Sequence, residues 1–427
     1  PAGLVTTEAG GPAPFTVQLT SQPVADVVFP VSSSDLTEGT LGASQLTFTV
    51  ANWNLLQTVT VTGVDDAVAD GSVSYTVVLD AATSSDANYS GRDPSDVSVS
   101  NSDDDTPGIN VTPVAGLVTT EAGGTATFGI VLVSQPTADV VIALSSSNTA
   151  EGTVSPASLT FTSSNWNVSQ TVTLTGGNDA VDDGDITYTV LTAPAVSSDP
   201  RYSANDAADV SAKNLDDDTA GSTVSPTSGL VTTEAGGTAT FTVRLTSQPL
   251  ANVVFPVSSS KPAEGSPSAA TLTFTPANWN VAQTMTVAGV DDAVQDGTVT
   301  YSIVLGVATS TDGNYSGMDP ADVAANNTDN DVAGVTVTPV AGLVTTEAGA
   351  TATFTVVLTS QPLANVVIGL SSSIPTEGKA TPASLTFTAA FWNVAQTVTV
   401  TGMDDAIDDG DINYAIMTQA ATSTDPL

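Results

Sequence analysis

Between Thr125 and Val133 the chain reads TATFGIVLV, and between Gln170 and Gly176 it reads QTVTLTG, so apolar and hydroxyl side chains largely alternate. A period of two puts successive side chains on opposite faces of an extended strand, one face dry and the other wet. The same composition marks Gly108–Pro113, Ala138–Ser145, Ser158–Thr162, Ile186–Thr192 and Asp209–Asn214. Gly, Pro, Asn, Asp and Ser crowd the gaps, the residues that turns demand. No window carries an apolar stripe at helical spacing. In chain order the seven segments are lettered A to G.

Seven short strands in about 110 residues predict an immunoglobulin-like β-sandwich. The pattern then returns every 113 residues without insertion or deletion: Leu4, Leu117, Leu230 and Leu343 each head the string LVTTEAG, and Trp53, Trp166, Trp279 and Trp392 follow at the same interval. A fixed period of this size predicts an all-β tandem array of four seven-stranded sandwiches, each with its own core. The expected repeats are 1–105, 108–218, 221–331 and 334–427. The first lacks the opening strand and the fourth the closing one, so the sequence reads as part of a longer repeat protein. Two-residue linkers such as Thr106-Pro107 predict a semi-rigid rod.

Composition sharpens the picture. The 427 residues carry 45 acidic and 6 basic side chains, a formal charge of −39, yet 41% of residues are hydrophobic, enough for globular cores rather than a disordered acidic tail. Such a balance leaves no basic patch for nucleic acid or anionic lipid, and no stretch has the length to insert in a membrane. Neither cysteine nor histidine occurs. Disulfides, thiol nucleophiles, Ser-His-Asp triads and the usual zinc, copper and haem ligands are thereby excluded.

Strand parity places the acids. In antiparallel succession the A–B, C–D and E–F connections and the exit from G share one end of the domain. In the second repeat that pole holds Glu121, Glu151, Asp179, Asp182, Asp183, Asp185, Asp216, Asp217 and Asp218, with only Lys213 nearby. Two such charges about 5 Å apart repel by about 3 kcal/mol at an effective dielectric near 20. Flexible, oxygen-only ligands of high negative charge suit Ca²⁺, whereas Mg²⁺ prefers a tighter octahedron with retained water. A solvated acidic cap is the plainer alternative.

These residues resemble a known family. The TTEAG string with Glu8, Glu121, Glu234 and Glu347, the phrase TVTVTGVDDAVADG at Thr58–Gly71 and the closing Asp103-Asp104-Asp105 are similar to Calx-beta domains, calcium-binding sandwiches. The resemblance implies calcium ligands at Glu8, Asp65, Asp66, Asp70, Asp103, Asp104 and Asp105 in the first repeat. It implies Glu121, Asp179, Asp183, Asp216, Asp217 and Asp218 in the second, and Glu234, Asp291, Asp292, Asp296, Asp329 and Asp331 in the third. The fourth keeps Glu347, Asp404, Asp405 and Asp409 without a terminal run. Departures are the Ser-rich C–D loops with Glu38, Glu151, Glu264 and Glu377, Asn178 in place of the first Asp of one pair, and Asn330 inside one triplet.

A cation shared across each junction, with Asp139, Asp199 and Asp206 of the opposite pole, is a further expectation; turn-forming Asp is its alternative. The Trp residues read as core caps rather than sugar platforms, and Tyr75 and its equivalents as core or tyrosine-corner residues. Four similar sites, no unique insertion and 5% aromatic residues argue against an enzyme. The sequence therefore predicts a calcium-stabilised extracellular rod or filament of a microbial surface or matrix protein. A glycan- or protein-binding adhesion module working through the F–G loops is the alternative. Scarce Lys on the strands leaves edges unguarded, so association with copies of itself into fibres is expected.

Overall fold

The computed structural model describes residues 3–408 and 410–426; it is entirely β. Asp409, one of the expected ligands, lies outside the described residues. The second repeat shows the plan. One sheet holds A (Ile109–Thr112), B (Thr125–Leu132), E (Gln170–Gly176) and D (Gly152–Ser155), in the order A–B–E–D. The other runs A′–G–F–C–D′, from Leu117–Thr120, Val210–Leu215, Ile186–Thr192, Val140–Ser146 and Ser158–Phe161.

All seven expected strands are present, and two more, Leu117–Thr120 and Gly152–Ser155, form in stretches read from sequence as connections. The GLVTT string, read from sequence as connection, forms strand A′. It runs parallel to G, with Leu117 opposite Ala212 and Thr120 opposite Leu215. Local pattern cannot reveal it, because its partner is almost a hundred residues away and its fully buried inward side chain is polar Thr119. Gly116, at φ 79°, takes the left-handed turn that starts A′. Likewise Gly152–Ser155, read from sequence as part of the C–D connection, forms D and pairs with E, while the expected strand at Ser158–Thr162 is D′ and pairs with C.

Alternation fixes the core. Phe128, Ile130 and Leu132 of B, Val172 and Leu174 of E, Val140, Ile142 and Leu144 of C, and Tyr188 and Val190 of F form one buried cluster. Each such side chain contributes about 1.5–3 kcal/mol relative to exposure. Every repeat has its own equivalent cluster. The indoles of Trp53, Trp166, Trp279 and Trp392 pack against these clusters while partly exposed. The chain divides into two compact units, Pro1–Asp179 with Asp183–Asp217, and Ala180–Asp182 with Asp218–Leu427.

Candidate metal centres

The A′–G pairing decides where the acids go. Because A′ and G run side by side in the same direction, the residues that follow both leave the sheet together. Glu8 thus meets Asp103–Asp105, and Glu121 meets Asp216–Asp218. Carboxylate oxygens of Glu8, Asp65 and Asp104 lie within 4.8 Å of one another, as do those of Glu8, Asp103 and Asp105, and those of Glu121, Asp217 and Asp218.

A second cluster sits beside the first. Glu38 joins Asp66 and Asp70, and Glu151 joins Asp179 and Asp183, again within 4.8 Å. Glu38 and its equivalents stand outside the ligand set that family resemblance implies; the structure brings them in. Their position is set by strand G. Asn101 and Asn214 are buried there, each accepting from a buried A′ threonine at 2.9 Å (Thr6 and Thr119). Their amides donate to Val64 O at 3.0 Å and Gly177 O at 2.9 Å, and to Glu38 Oε2 and Glu151 Oε2 at 3.3 Å. A glutamate returning at the same place in each Ser-rich loop was the available sequence signal.

The E–F loop is shaped by its own carboxylates. Asp66 Oδ1 accepts from Val68 N–H at 2.7 Å, and Asp292 and Asp405 do the same with Val294 and Ile407 at 2.7 and 2.8 Å. The positive φ of Gly71, Gly184 and Gly297 lets each amide turn toward the terminal run. Gly184 N–H donates to Asp216 Oδ2 at 2.7 Å and Gly297 N–H to Asp329 Oδ2 at 2.8 Å; Gly71 bonds Asp103 in the same way. Asp329 is held below the usual carboxylate range, burial being outweighed by the amides of Gly297 and Asp331.

The first of the two buried glutamates in each complete pole is the more deeply buried. Glu8, Glu121 and Glu234 are each 3% exposed. Burial pushes all three up to about 7, against the opposing pull of the Asp104, Asp217 and Asn330 amides, and nearby aspartates push the same way. Burial and like charge also raise Asp70, Asp105, Asp296 and Asp331. Asp70 Oδ1 and Asp331 Oδ2 are buried and accept no hydrogen bond. A buried, unsatisfied carboxylate oxygen costs stability unless a cation or proton meets it. Oxygen-only donors, the paired carboxylate clusters of the first two repeats and buried oxygens without a hydrogen bond fit a hard divalent cation.

The repeats are not equal. In the third, Asn330 Nδ2 donates to Asp291 Oδ1 at 3.3 Å, relieving charge that a third aspartate would add. In the second, Asn178 Nδ2 turns to Asp179 O at 3.1 Å. In the fourth, with no strand G among the described residues, Glu347 is exposed instead of buried, while Asp404 and Asp405 keep their loop. Lys213–Asp185, at 3.2 Å and half exposed, is an ion pair at the pole of the second repeat. At the opposite pole Asp199 accepts from Thr137 N–H at 2.8 Å and Arg201 N–H at 3.0 Å, and Asp86 and Asp312 repeat the arrangement. The turn-forming reading of Asp199 is the one its hydrogen bonds match.

The chain is an all-β protein built of tandem immunoglobulin-like sandwich repeats. No protein-family model matches it, and no curated protein sequence does. Among solved structures it is similar to CBD12 from CALX1.2, at 14% identity over 48% of this chain and 81% of that one, with a TM-score of 0.24. The calcium binding domain CBD12 of CALX1.1 gives 15% over 47% and 80%, TM-score 0.25. Domains 4 and 5 of the S-layer protein SbsC give 17% over 44% and 76%, TM-score 0.20. At this level the likeness reaches no further than a β-sandwich chain path, and the chemistry of the acidic poles rests on their own residues.

Proposed function

We propose that each complete repeat binds calcium at its acidic pole and that the array serves as a calcium-stabilised spacer of an extracellular surface or matrix protein. The observation that carries this reading is the pair of acid clusters in the first two repeats, each built from loops distant in sequence and each closed around a buried glutamate. Glu8, Asp65 and Asp103–Asp105 would hold one ion, and Glu38, Asp66 and Asp70 a second beside it. Bound calcium would supply the positive charge that lets these carboxylates ionise together and would tie the A′–B, C–D and E–F loops to the end of G.

The repetition supports a structural rather than a catalytic role, since nothing distinguishes one pole as the place of a reaction. A binding role through the F–G loops gains less support. Tyr202 hydroxyl, Ser134 and Asp199 in that region are buried and bonded within their own repeat. Association with further copies belongs to the same proposal, through unguarded strand edges.

Calorimetric unfolding of the whole chain should show a clear rise in midpoint in millimolar calcium over EDTA. A ligand present at about 100 times its Kd adds about 2.7 kcal/mol per site. Magnesium at the same concentration is expected to give a smaller rise. Identical midpoints in calcium and EDTA would overturn the reading. Replacing Glu151 with Gln is expected to lower the calcium bound per chain by about one ion, because one ligand charge of a hard-cation site is lost. Equilibrium dialysis checks it, and unchanged stoichiometry and affinity would remove Glu151 from the site.

A further inference from the structure

Strand D′ is the outermost strand of its sheet in every repeat, a position that turns unpaired N–H and C=O groups to solvent. In the second repeat side chains of the following loop cover those groups. Thr160 O accepts from Gln170 Nε2 at 2.8 Å, Asn165 Oδ1 accepts from Thr162 N–H at 2.6 Å, and Asn165 N–H donates to Thr162 O at 3.2 Å. The first repeat holds the same latch, with Gln57 Nε2 on Thr47 O at 2.7 Å and Asn52 Oδ1 on Thr49 N–H at 2.6 Å. So does the third, where Gln283 meets Thr273 O and Asn278 meets Thr275 N–H, both at 2.6 Å. Scarce Lys does not leave this edge open, because amide side chains guard it instead.

The fourth repeat keeps only half of the latch. Its D′ is Ser384–Phe387, paired with Val366–Ser372. The loop that follows holds its course, Leu358 N–H donating to Trp392 O at 3.3 Å as Leu132 N–H does to Trp166 O at 3.0 Å. Phe391, however, stands where the other three repeats have Asn, and a phenyl ring offers no acceptor to Thr388 N–H. That ring is 64% exposed beside the edge. Gln396 Nε2 on Thr386 O, at 2.8 Å, is the guard that remains. Charge is sparse here as well. Across residues 348–403, which take in strands B, C, D, D′ and E, only Glu377 and Lys379 are charged, and they cancel, in a chain of −39.

We propose that the D′ edge of the fourth repeat docks a second copy of this chain, residues 384–388 of the two copies pairing antiparallel across a two-fold axis. The occupant follows from the charge. Copies of so acidic a chain repel one another wherever their poles approach, and a surface of zero net charge is where that repulsion is least. A two-fold contact uses the same patch on both partners, so one half-open edge meets another. Main-chain bonds supply the affinity, as in strand addition generally, and Thr388 N–H gains the acceptor that Phe391 cannot give it. The Asn–Gln latch keeps the first three repeats out of such pairing. This inference rests on the association proposed above, for which it names the edge, and draws nothing from the metal reading.

Sedimentation equilibrium of the 427-residue chain in EDTA, with about 0.15 M salt to screen the acidic poles, tests it. A reversible monomer–dimer equilibrium is expected, with slowed exchange of the Thr388 amide in the dimer. Phe391→Asn installs the residue that the other repeats carry and closes the latch. It should weaken the dimer at least about tenfold, since one further bond per copy must then open. Gln396→Ala removes the remaining guard and should tighten the dimer. A dimer that Phe391→Asn leaves unchanged would put association on another edge, overturning this inference while association itself stands. A chain that stays monomeric in EDTA would overturn it too, and the unfolding midpoint in calcium then decides the metal reading separately.

Discussion

Acidifying the calcium-free chain from about pH 7.5 to about pH 5 is expected to raise its unfolding midpoint, opposite to the usual behaviour of a protein rich in paired carboxylates. Glu8, Glu121 and Glu234 sit buried among negative neighbours and are raised from 4.5 to about 7. In the folded chain they keep protons that the unfolded chain has already released. Stability therefore falls as pH climbs through the window from 4.5 to about 7, and the loss is complete above it. At about 1.4 kcal/mol per unit the ceiling is roughly 3 kcal/mol for each complete repeat.

Calcium inverts the sign. The ion needs the ionised glutamate, so its stabilising effect should grow as pH rises through the same window and level off above about 7. Thermal unfolding at a series of pH values, once in EDTA and once in calcium, should give two lines that diverge upward in pH. A midpoint in EDTA that stays flat or drops on acidification would show that these glutamates are not buried acids in the folded chain.

The second large effect is expected from Gly176→Ala. This glycine closes strand E where it passes under A′ and G, and a Cβ there would lie 2.2 Å from Thr120 O and 2.5 Å from Asn214 Oδ1. The first contact is with backbone held in the parallel A′–G ladder, which cannot move without breaking that pairing. The second is with the asparagine that aims Glu151. Overpacking of a fitted core costs about 1–3 kcal/mol, and displacement of a buried, hydrogen-bonded amide adds to it. We expect a loss of about 3 kcal/mol or more, read as an early unfolding transition in the EDTA scan, together with weakened calcium binding. A variant with wild-type stability would mean that A′ is not seated as described.

How much of this was legible in the sequence follows from the range of the interactions. Alternation of Thr with Val, Leu and Ile gave strands B, C, E and F to within a residue or two, because burial of one face is a local pattern. A′ escaped, since its inward residue is Thr119 and its partner Asn214 lies almost a hundred positions along. The pole that gathers Glu121 and Asp216–Asp218 followed from strand parity alone. Glu38 and Glu151 did not enter the ligand set, because their approach to Asp66 and Asp179 depends on Asn101 and Asn214, whose side chains act at right angles to the strands. The orphaned oxygens of Asp70 and Asp331 are likewise visible only in three dimensions.

One recurring hydrogen bond ties the E–F loop to the repeat that follows it. In the first unit Gln135 N–H donates to Ala67 O at 2.6 Å, and in the second Gln361 N–H donates to Ala293 O at the same distance. Ala67 and Ala293 belong to the loop that also carries Asp66, Asp70, Asp292 and Asp296. A single inserted residue there would scatter the carboxylates and unseat the following bead at one stroke. The length of that loop is thus pinned from two directions at once, by the chemistry beneath it and by the neighbour resting on top.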